Sequence, residues 1–408
     1  MKTSSYRFLL AMGAIAFIVT ACQKLLPPAP EPDEILDGPI DGLSYAQHRQ
    51  FLLGDVAFND KIFTPETGLG PIFVATSCGT CHAGDGRGHP FTTLTRFGEF
   101  DSTGNIYGSL GGPQLQNRAI PGYDPEVIPV SMPHSNITPP PNTGLGYLEA
   151  VSDAYLLSLE DPNDSNGDGI SGVVNWVVAP SFLSPDPDAI TLGGKYIGRF
   201  GRKAAAINLV HQTVNAYIQD MGITSGYFPH ELFHFNNGSY CTDGVADPEV
   251  STADVDNVVF YLRTLKAPVR RNTNDPDVMA GEALFSSINC SGCHLPTMQT
   301  GPSSIAPLAN TTFHPYTDLL LHDMGPGLDD SYTEGNASYP EWRTPPLWGL
   351  GLSPNSQGGA YYLMHDGRAH TIEEAIILHG GEAQGSRNAY EGLSAAEKAQ
   401  LIKFLESL

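Results

Sequence analysis

Apolar and polar positions along the chain repeat one plan twice. The stretch Asp254-Val-Asp-Asn-Val-Val-Phe-Tyr-Leu-Arg-Thr-Leu265 places apolar residues three and four apart, which predicts an amphipathic helix. Ser394-Ala-Ala-Glu-Lys-Ala-Gln-Leu-Ile-Lys-Phe-Leu405 repeats that pattern, and Ser394 with Glu397 three residues on is a capping-box signature. Upstream of it, Asp277-Val-Met-Ala-Gly-Glu-Ala-Leu-Phe285 carries apolar residues at helical spacing just before a Cys-Ser-Gly-Cys-His motif. A segment from about Leu43 to Leu265 and another from about Pro276 to Leu408 therefore share one order. Each has an opening helix, a Cys-x-x-Cys-His motif, irregular chain and a closing helix. Lys266 to Asn274 reads as the linker between them.

The first segment is much the larger. Its excess, roughly Phe91 to Thr252, holds a helical stretch around Ala204 to Asp220 and Pro-rich loops around Pro125 to Pro141. With 44 glycines and 33 prolines in 408 residues, long irregular loops are expected throughout. The expected fold is mainly α, with an N-terminal domain over 44–266, enlarged by insertion, and a C-terminal domain over 275–408.

The N-terminus reads as a processing signal. Lys2 and Arg7 precede the short apolar run Phe8 to Val19, which ends in Val19-Thr20-Ala21-Cys22. Residues 1–22 are expected to be a lipoprotein signal whose Cys22 is lipidated, and an ordinary secretory leader is the plainer alternative. Several acyl chains on one residue anchor stably, where a single chain is marginal. Residues 23–43, rich in Pro and acids, read as a tether. Gln23 after the Cys is not a retention Asp, so the outer membrane, at its periplasmic face or the cell surface, is the expected address. A hydrophobic content of 41% is too low for a polytopic membrane protein. The net charge of −23 disfavours nucleic acid and anionic membrane as partners. It suits a cationic redox partner, or simply solubility.

Six cysteines are present. Cys22 is assigned to the lipid, Cys78, Cys81, Cys290 and Cys293 form two pairs, and Cys241 is left as a small buried hydrophobe. No disulfide framework follows from that arithmetic. Cys78-Gly-Thr-Cys81-His82 and Cys290-Ser-Gly-Cys293-His294 each place two thiols three residues apart beside a histidine. That spacing lets both thiols reach the vinyl groups of one porphyrin while the histidine coordinates the iron. Zinc or a redox Cys-x-x-Cys is the alternative, but zinc wants four ligands and the spacing offers three. Two covalently bound c-type haems are expected, with His82 and His294 as proximal iron ligands. The sixth position on each iron then decides between electron transfer and chemistry.

Longer strings carry a resemblance. Gly84-Asp-Gly-Arg-Gly88, Tyr107 to Gly122, Gly198-Arg-Phe-Gly-Arg-Lys-Ala204, Asp220-Met-Gly-Ile-Thr224, Asp318 to Gly325, Trp342-Arg-Thr-Pro-Pro-Leu-Trp-Gly349, His365-Asp-Gly367 and Ala375 to Ala383 join the two haem motifs. With these the chain resembles the bacterial di-haem cytochrome c peroxidase superfamily, most closely the di-haem oxidoreductases also called thiol oxidoreductases. The resemblance spans nearly all of the chain after Cys22. It implies two cytochrome-c-like domains, with oxidant binding at the N-terminal haem and an electron stored or relayed at a six-coordinate C-terminal haem. Where the peroxidases carry a distal Met, this chain carries His379, so His294 and His379 are the expected ligand pair, with Met324 and Met364 as runners-up. Two imidazoles give a lower potential than His and Met.

Other roles implied by the resemblance are less specific. For the N-terminal haem no distal ligand stands out among Met132, His134, Lys203 and His211. The superfamily's proton-moving Glu has its nearest counterpart in Glu149, which reads equally well as surface charge. A tryptophan between the haems is expected, and Trp176, Trp342 and Trp348 all qualify. Asp164-Ser-Asn-Gly-Asp-Gly-Ile-Ser171 fits either a calcium (Ca2+) loop or an Asx-rich turn. The expected function is a peroxidase-like oxidoreductase acting on hydrogen peroxide or oxygen, supplied by a small redox protein or a quinol-linked electron donor. A non-catalytic outer-membrane electron carrier, an accessory of iron or haem uptake, and a di-haem oxygenase are the competing readings.

Overall fold

The computed structural model describes residues 31, 34–101, 104–105 and 112–408. The leader with Cys22, the tether up to residue 30 and residues 107–111 of the Tyr107–Gly122 string lie outside the described residues. Contacts divide the chain into residues 1–35 and 36–408, and the second unit holds both Cys-x-x-Cys-His motifs.

Each Cys-x-x-Cys-His motif is preceded by a helix that packs against a closing helix. In the first half, Tyr45–Asp55 packs on Thr252–Thr264. In the second, Pro276–Ser287 packs on Ala395–Ser407. A glycine makes each crossing possible. A Cβ on Gly54 would fall 2.1 Å from the Asn257 carbonyl oxygen, and one on Gly281 would fall 2.1 Å from that of Gln400. The closing helices lie where the apolar period places them. The Ser394–Glu397 capping box forms, and the other closing helix has a box of its own between Ser251 and Asp254. Each box satisfies backbone N–H groups that the first turn leaves unpaired.

Two large hydrophobic clusters and two small ones form the core among the described residues. One of the large clusters runs from Phe51 to Leu265 and also takes Met298, Phe313, Leu319, Leu320 and Trp348. The other draws only on residues between Val278 and Leu408. The linker is tied at both ends, because the Lys266 amide donates to Gly38 at 3.0 Å and the Arg271 amide to Ser407 at 2.8 Å. The molecule is helix-rich, and its strands are short. Leu94–Phe97 pairs with His134–Ile137, and Leu321–Asp323 pairs with Glu341–Arg343, setting His322 opposite Trp342. Among the described residues no helix is long and apolar enough to cross a membrane.

Candidate haem centres

The helix Pro276–Ser287 runs into a left-handed Asn289 and a tight turn at Cys290–Gly292. That turn brings His294 to the wall of a cavity with about 1370 Å³ of open space, also lined by Cys290, Cys293, His379, Met324 and Met364. The rings of His294 and His379 face each other with centroids 6.5 Å apart. Two imidazole–metal bonds of about 2.0 Å plus two ring radii of roughly 1.1 Å would separate the centroids by about 6.2 Å. The Nδ1 of His294 donates to the Tyr316 carbonyl at 3.0 Å, and that of His379 donates to Ala375 at 2.6 Å. A carbonyl only accepts, so Nδ1 carries the hydrogen in both rings and Nε2 keeps its lone pair. Burial lowers the pKa of both, that of His294 to about 4, which keeps both imidazoles neutral and able to bind metal.

Beside this cavity, His322 is buried between Asp318 at 2.8 Å and Glu382 at 2.7 Å, with the Cys293 sulfur 3.6 Å away. Burial opposes its charge, but Asp318, Cys293 and Glu382 outweigh that and raise its pKa.

The first motif forms one helical turn, Cys78–Cys81, capped by Ser77, whose hydroxyl accepts from the Thr80 amide. His82 follows and faces a second cavity with about 1690 Å³ of open space, lined also by Cys78, Cys81, Arg96, Lys203, Tyr217, Asp220 and Glu334. Burial pushes the His82 pKa down to about 4, while the Pro140 carbonyl acts in the other direction. Burial also pushes the thiols of Cys78, Cys81 and Cys290 up to about 12. A zinc site needs thiolates converging on one point. Among the described residues neither motif forms a convergent set of metal donors. The chemistry and placement of the donors fit haem.

Of the candidates for the position opposite His82, only Lys203 lines this cavity. Its ammonium donates to the carbonyls of Ser338, Tyr339 and Glu341 at 2.9, 3.0 and 2.9 Å. His134 bonds the Met132 carbonyl, and His211 Nδ1 accepts from the Ile207 amide. Glu149 is absent from the lining as well. Its carboxylate accepts from Arg263 Nε at 2.5 Å and from the Leu209 amide at 2.8 Å. The acids that do face the cavity are Glu334, which pairs with Arg96, and Asp220. Asp220 ends a wider helical turn, Ala216–Asp220, and its backbone carbonyl is held by the amides of Val74 and Ala75. Burial pushes the Asp220 carboxyl up to about 7, with Arg96 acting against it.

The two cavities share Arg202, Arg343 and Pro345 in their walls. Trp342 lines the second-motif cavity, stacked on His365 at 3.8 Å, while the Lys203 ammonium sits 4.0 Å over its ring. Lys203 in turn lines the first-motif cavity, so Trp342 is the tryptophan placed between the two. Trp348 packs in the core against Phe313, and Trp176 lies in a strand. In the Asp164–Ser171 loop, Asp164 accepts from the Gly169 amide and Asp168 from the Ile170 amide. The carboxylates there turn toward backbone, as in Asx turns. Sequence reasoning missed Asp220, His322 and the arginines as site residues, although Arg87, Arg202, Asp220, His322 and Arg343 all lie inside the strings that carry the family resemblance. Their signal was a buried charge, which needs three dimensions to see.

No curated protein sequence matches the chain. The solved structures similar to the chain include two at low identity. The hydrazine synthase of Kuenenia stuttgartiensis, pressurised with xenon, is 14% identical with a TM-score of 0.41, over 94% of this chain and 93% of that one. A MauG-like protein associated with microbial copper homeostasis is 15% identical with a TM-score of 0.38, over 94% of each chain. The family described as "Di-haem oxidoreductase, putative peroxidase" matches residues 130–408, which include the second haem motif, His379 and both shared arginines. With that match covering well over half of its length, the chain belongs to the di-haem oxidoreductase family.

Proposed function

We propose that the protein is a c-type di-haem oxidoreductase that reduces a peroxide at the His82 haem with electrons relayed through the His294 haem. Covalent attachment would run through Cys78 and Cys81 in one centre and Cys290 and Cys293 in the other. The observation that carries the reading is an asymmetry. His294 is faced by a second imidazole at metal-spanning distance, whereas the His82 cavity offers no second imidazole among the described residues. When bound there, haem held by Cys78, Cys81 and His82 would supply the redox chemistry.

The chain's own residues then handle protons. Reduction of hydrogen peroxide to two waters consumes two electrons, from the external donor, and two protons. The Asp220 carboxylate faces the cavity and accepts no hydrogen bond among the described residues, so it is free to move a proton between the two peroxide oxygens. Glu149, committed to Arg263 and Leu209, supports the wall instead. The two cytochrome-c-like halves, the first enlarged, give each haem its own opening and closing helix. Export as a Cys22-lipidated protein of the outer membrane, fed by a small redox protein or a quinol-linked donor, completes the proposal.

The test is an optical and EPR spectrum of the purified protein before and after peroxide. One high-spin and one low-spin haem, with rapid change on peroxide addition, support the enzyme. Two low-spin haems that ignore peroxide in every redox state would mark an electron carrier instead. Replacing Cys22 by Ser should move the protein from the membrane to the soluble fraction. An unchanged distribution would remove the lipid anchor from the proposal.

A further inference from the structure

Three arginines are buried at the wall between the two cavities. Arg87, Arg202 and Arg343 are each 7% exposed. Arg202 and Arg343 line both cavities, and Arg87 lines the second-motif cavity alone. The three lie close enough that Arg87 and Arg343 both oppose the charge of Arg202, after burial itself.

None of the three has a carboxylate at ion-pair distance among the described residues. Their hydrogen bonds go to neutral acceptors. Arg87 Nη1 donates to the Met364 carbonyl at 3.2 Å, Arg202 Nη2 donates to the Thr138 carbonyl at 2.9 Å, and Arg343 Nε donates to the Gly201 carbonyl at 3.0 Å. The buried Arg87 Nε has no partner among the described residues. The acids that favour the charge of Arg202 and Arg343, Asp366 and Asp318, are held by other cations. Asp366 pairs with Arg368, and Asp318 with His322. A guanidinium keeps its charge under all ordinary conditions, so burial of three together without an anion is strongly unfavourable. The chain has only 21 Lys and Arg in all, which makes three in one wall a costly use of them. Anions from outside the polypeptide are therefore required, and their chemistry is set by the guanidinium fork, which matches carboxylates bidentately.

We infer that Arg87, Arg202 and Arg343 form a carboxylate-binding wall that takes the propionates of both haems, and that Arg202, facing both cavities, couples their redox potentials. The inference rests on the proposed binding of two haems. A cation shared by two sets of propionates favours the reduced form of both centres, since reduction removes a positive charge near it. It also links them, because a change of charge at one centre alters how strongly the shared guanidinium holds the other.

The test uses the full-length holoprotein. A pyridine haemochrome assay first counts haems, and fewer than two per chain would sink the underlying reading rather than the wall. Spectroelectrochemical titration then resolves the two midpoint potentials. Arg202→Gln should shift both to more negative values, whereas Arg87→Gln should shift only that of the His294 haem. A shift of one potential or of neither in Arg202→Gln overturns the coupling. Should Arg202→Gln fail to load haem, Arg202→Lys keeps the charge and loses the fork. Resonance Raman should then show altered propionate bending bands for both haems, and unaltered bands overturn the proposal. Titration of the wild type with acetate separates a diffusible carboxylate from the haems' own. Potentials that do not respond are expected, and a saturable shift lost in Arg202→Gln would overturn the assignment to propionates.

Discussion

His294 and His379 face each other across 6.5 Å, each holding a backbone carbonyl through Nδ1. The outer hydrogen bonds fix both tautomers, so each ring keeps the lone pair of Nε2 available for a metal. Replacing His379 by Ala should convert one of the two haems from low spin to high spin and leave the other unchanged. EPR of the oxidised protein reads this directly. If the low-spin signal survived intact, a different side chain would have to occupy that position, Met324 or Met364 being the ones on the same wall.

Asp220 and Glu149 make opposite predictions. Asp220→Asn removes the only acid in the His82 cavity that no cation pairs with among the described residues, and should slow peroxide turnover by about 10²–10⁴-fold. Glu149→Gln weakens the bond to Arg263 at 2.5 Å and should cost about 1–3 kcal/mol of stability with little change in rate. Stopped-flow kinetics beside denaturant melts would separate the two. The reverse pattern would return the proton-moving role to Glu149.

The sign of the pH dependence follows from the same residue. Burial holds the Asp220 carboxyl protonated up to about 7, against an ordinary value of 3.8. As a base it must be ionised, so the rate of peroxide reaction should rise with pH through about 7 and level off above. Asp220→Asn should flatten that limb. The stability effect has the opposite sense. A carboxyl whose pKa is raised by folding contributes fully at low pH, and its contribution is lost as pH rises from about 4 toward 7. Asp220→Asn should therefore stabilise the fold more at about pH 8 than at about pH 4, as thermal unfolding at the two values would show.

Much of this was legible in the chain, and the reasons differ by element. The closing helices were readable because Val255, Val258, Val259 and Leu262 keep a helical period, as do Leu401, Phe404 and Leu405. The pairing of His379 with His294 was readable only through resemblance, since no local pattern connects residues so far apart. Asp220 and the three arginines were not legible as site residues. A charged residue on a helix or loop looks the same in sequence whether it meets water or a cavity, and only burial without a counter-charge distinguishes the two. Glu149 shows the converse. Its helix lies near the cavity wall, but Arg263 comes from the closing helix and claims the carboxylate.

The two glycines at the helix crossings give the last prediction. Gly54 meets the Asn257 carbonyl and Gly281 meets that of Gln400, at a separation that no Cβ tolerates. Backbone atoms cannot yield as a flexible side chain can, so Gly281→Ala must push Pro276–Ser287 away from Ala395–Ser407. Overpacking of this kind costs about 1–3 kcal/mol, and Ala gains only part of that back from its better helix propensity. Guanidinium unfolding should show a lower midpoint at unchanged slope, which marks lost stability and not an altered unfolded state. Because that crossing supports the segment bearing His294, the Gly281→Ala protein should also disturb the low-spin haem first. Gly54→Ala should do the same at the His82 centre. A stabilised or unaffected protein in either case would show that the helices separate there without strain.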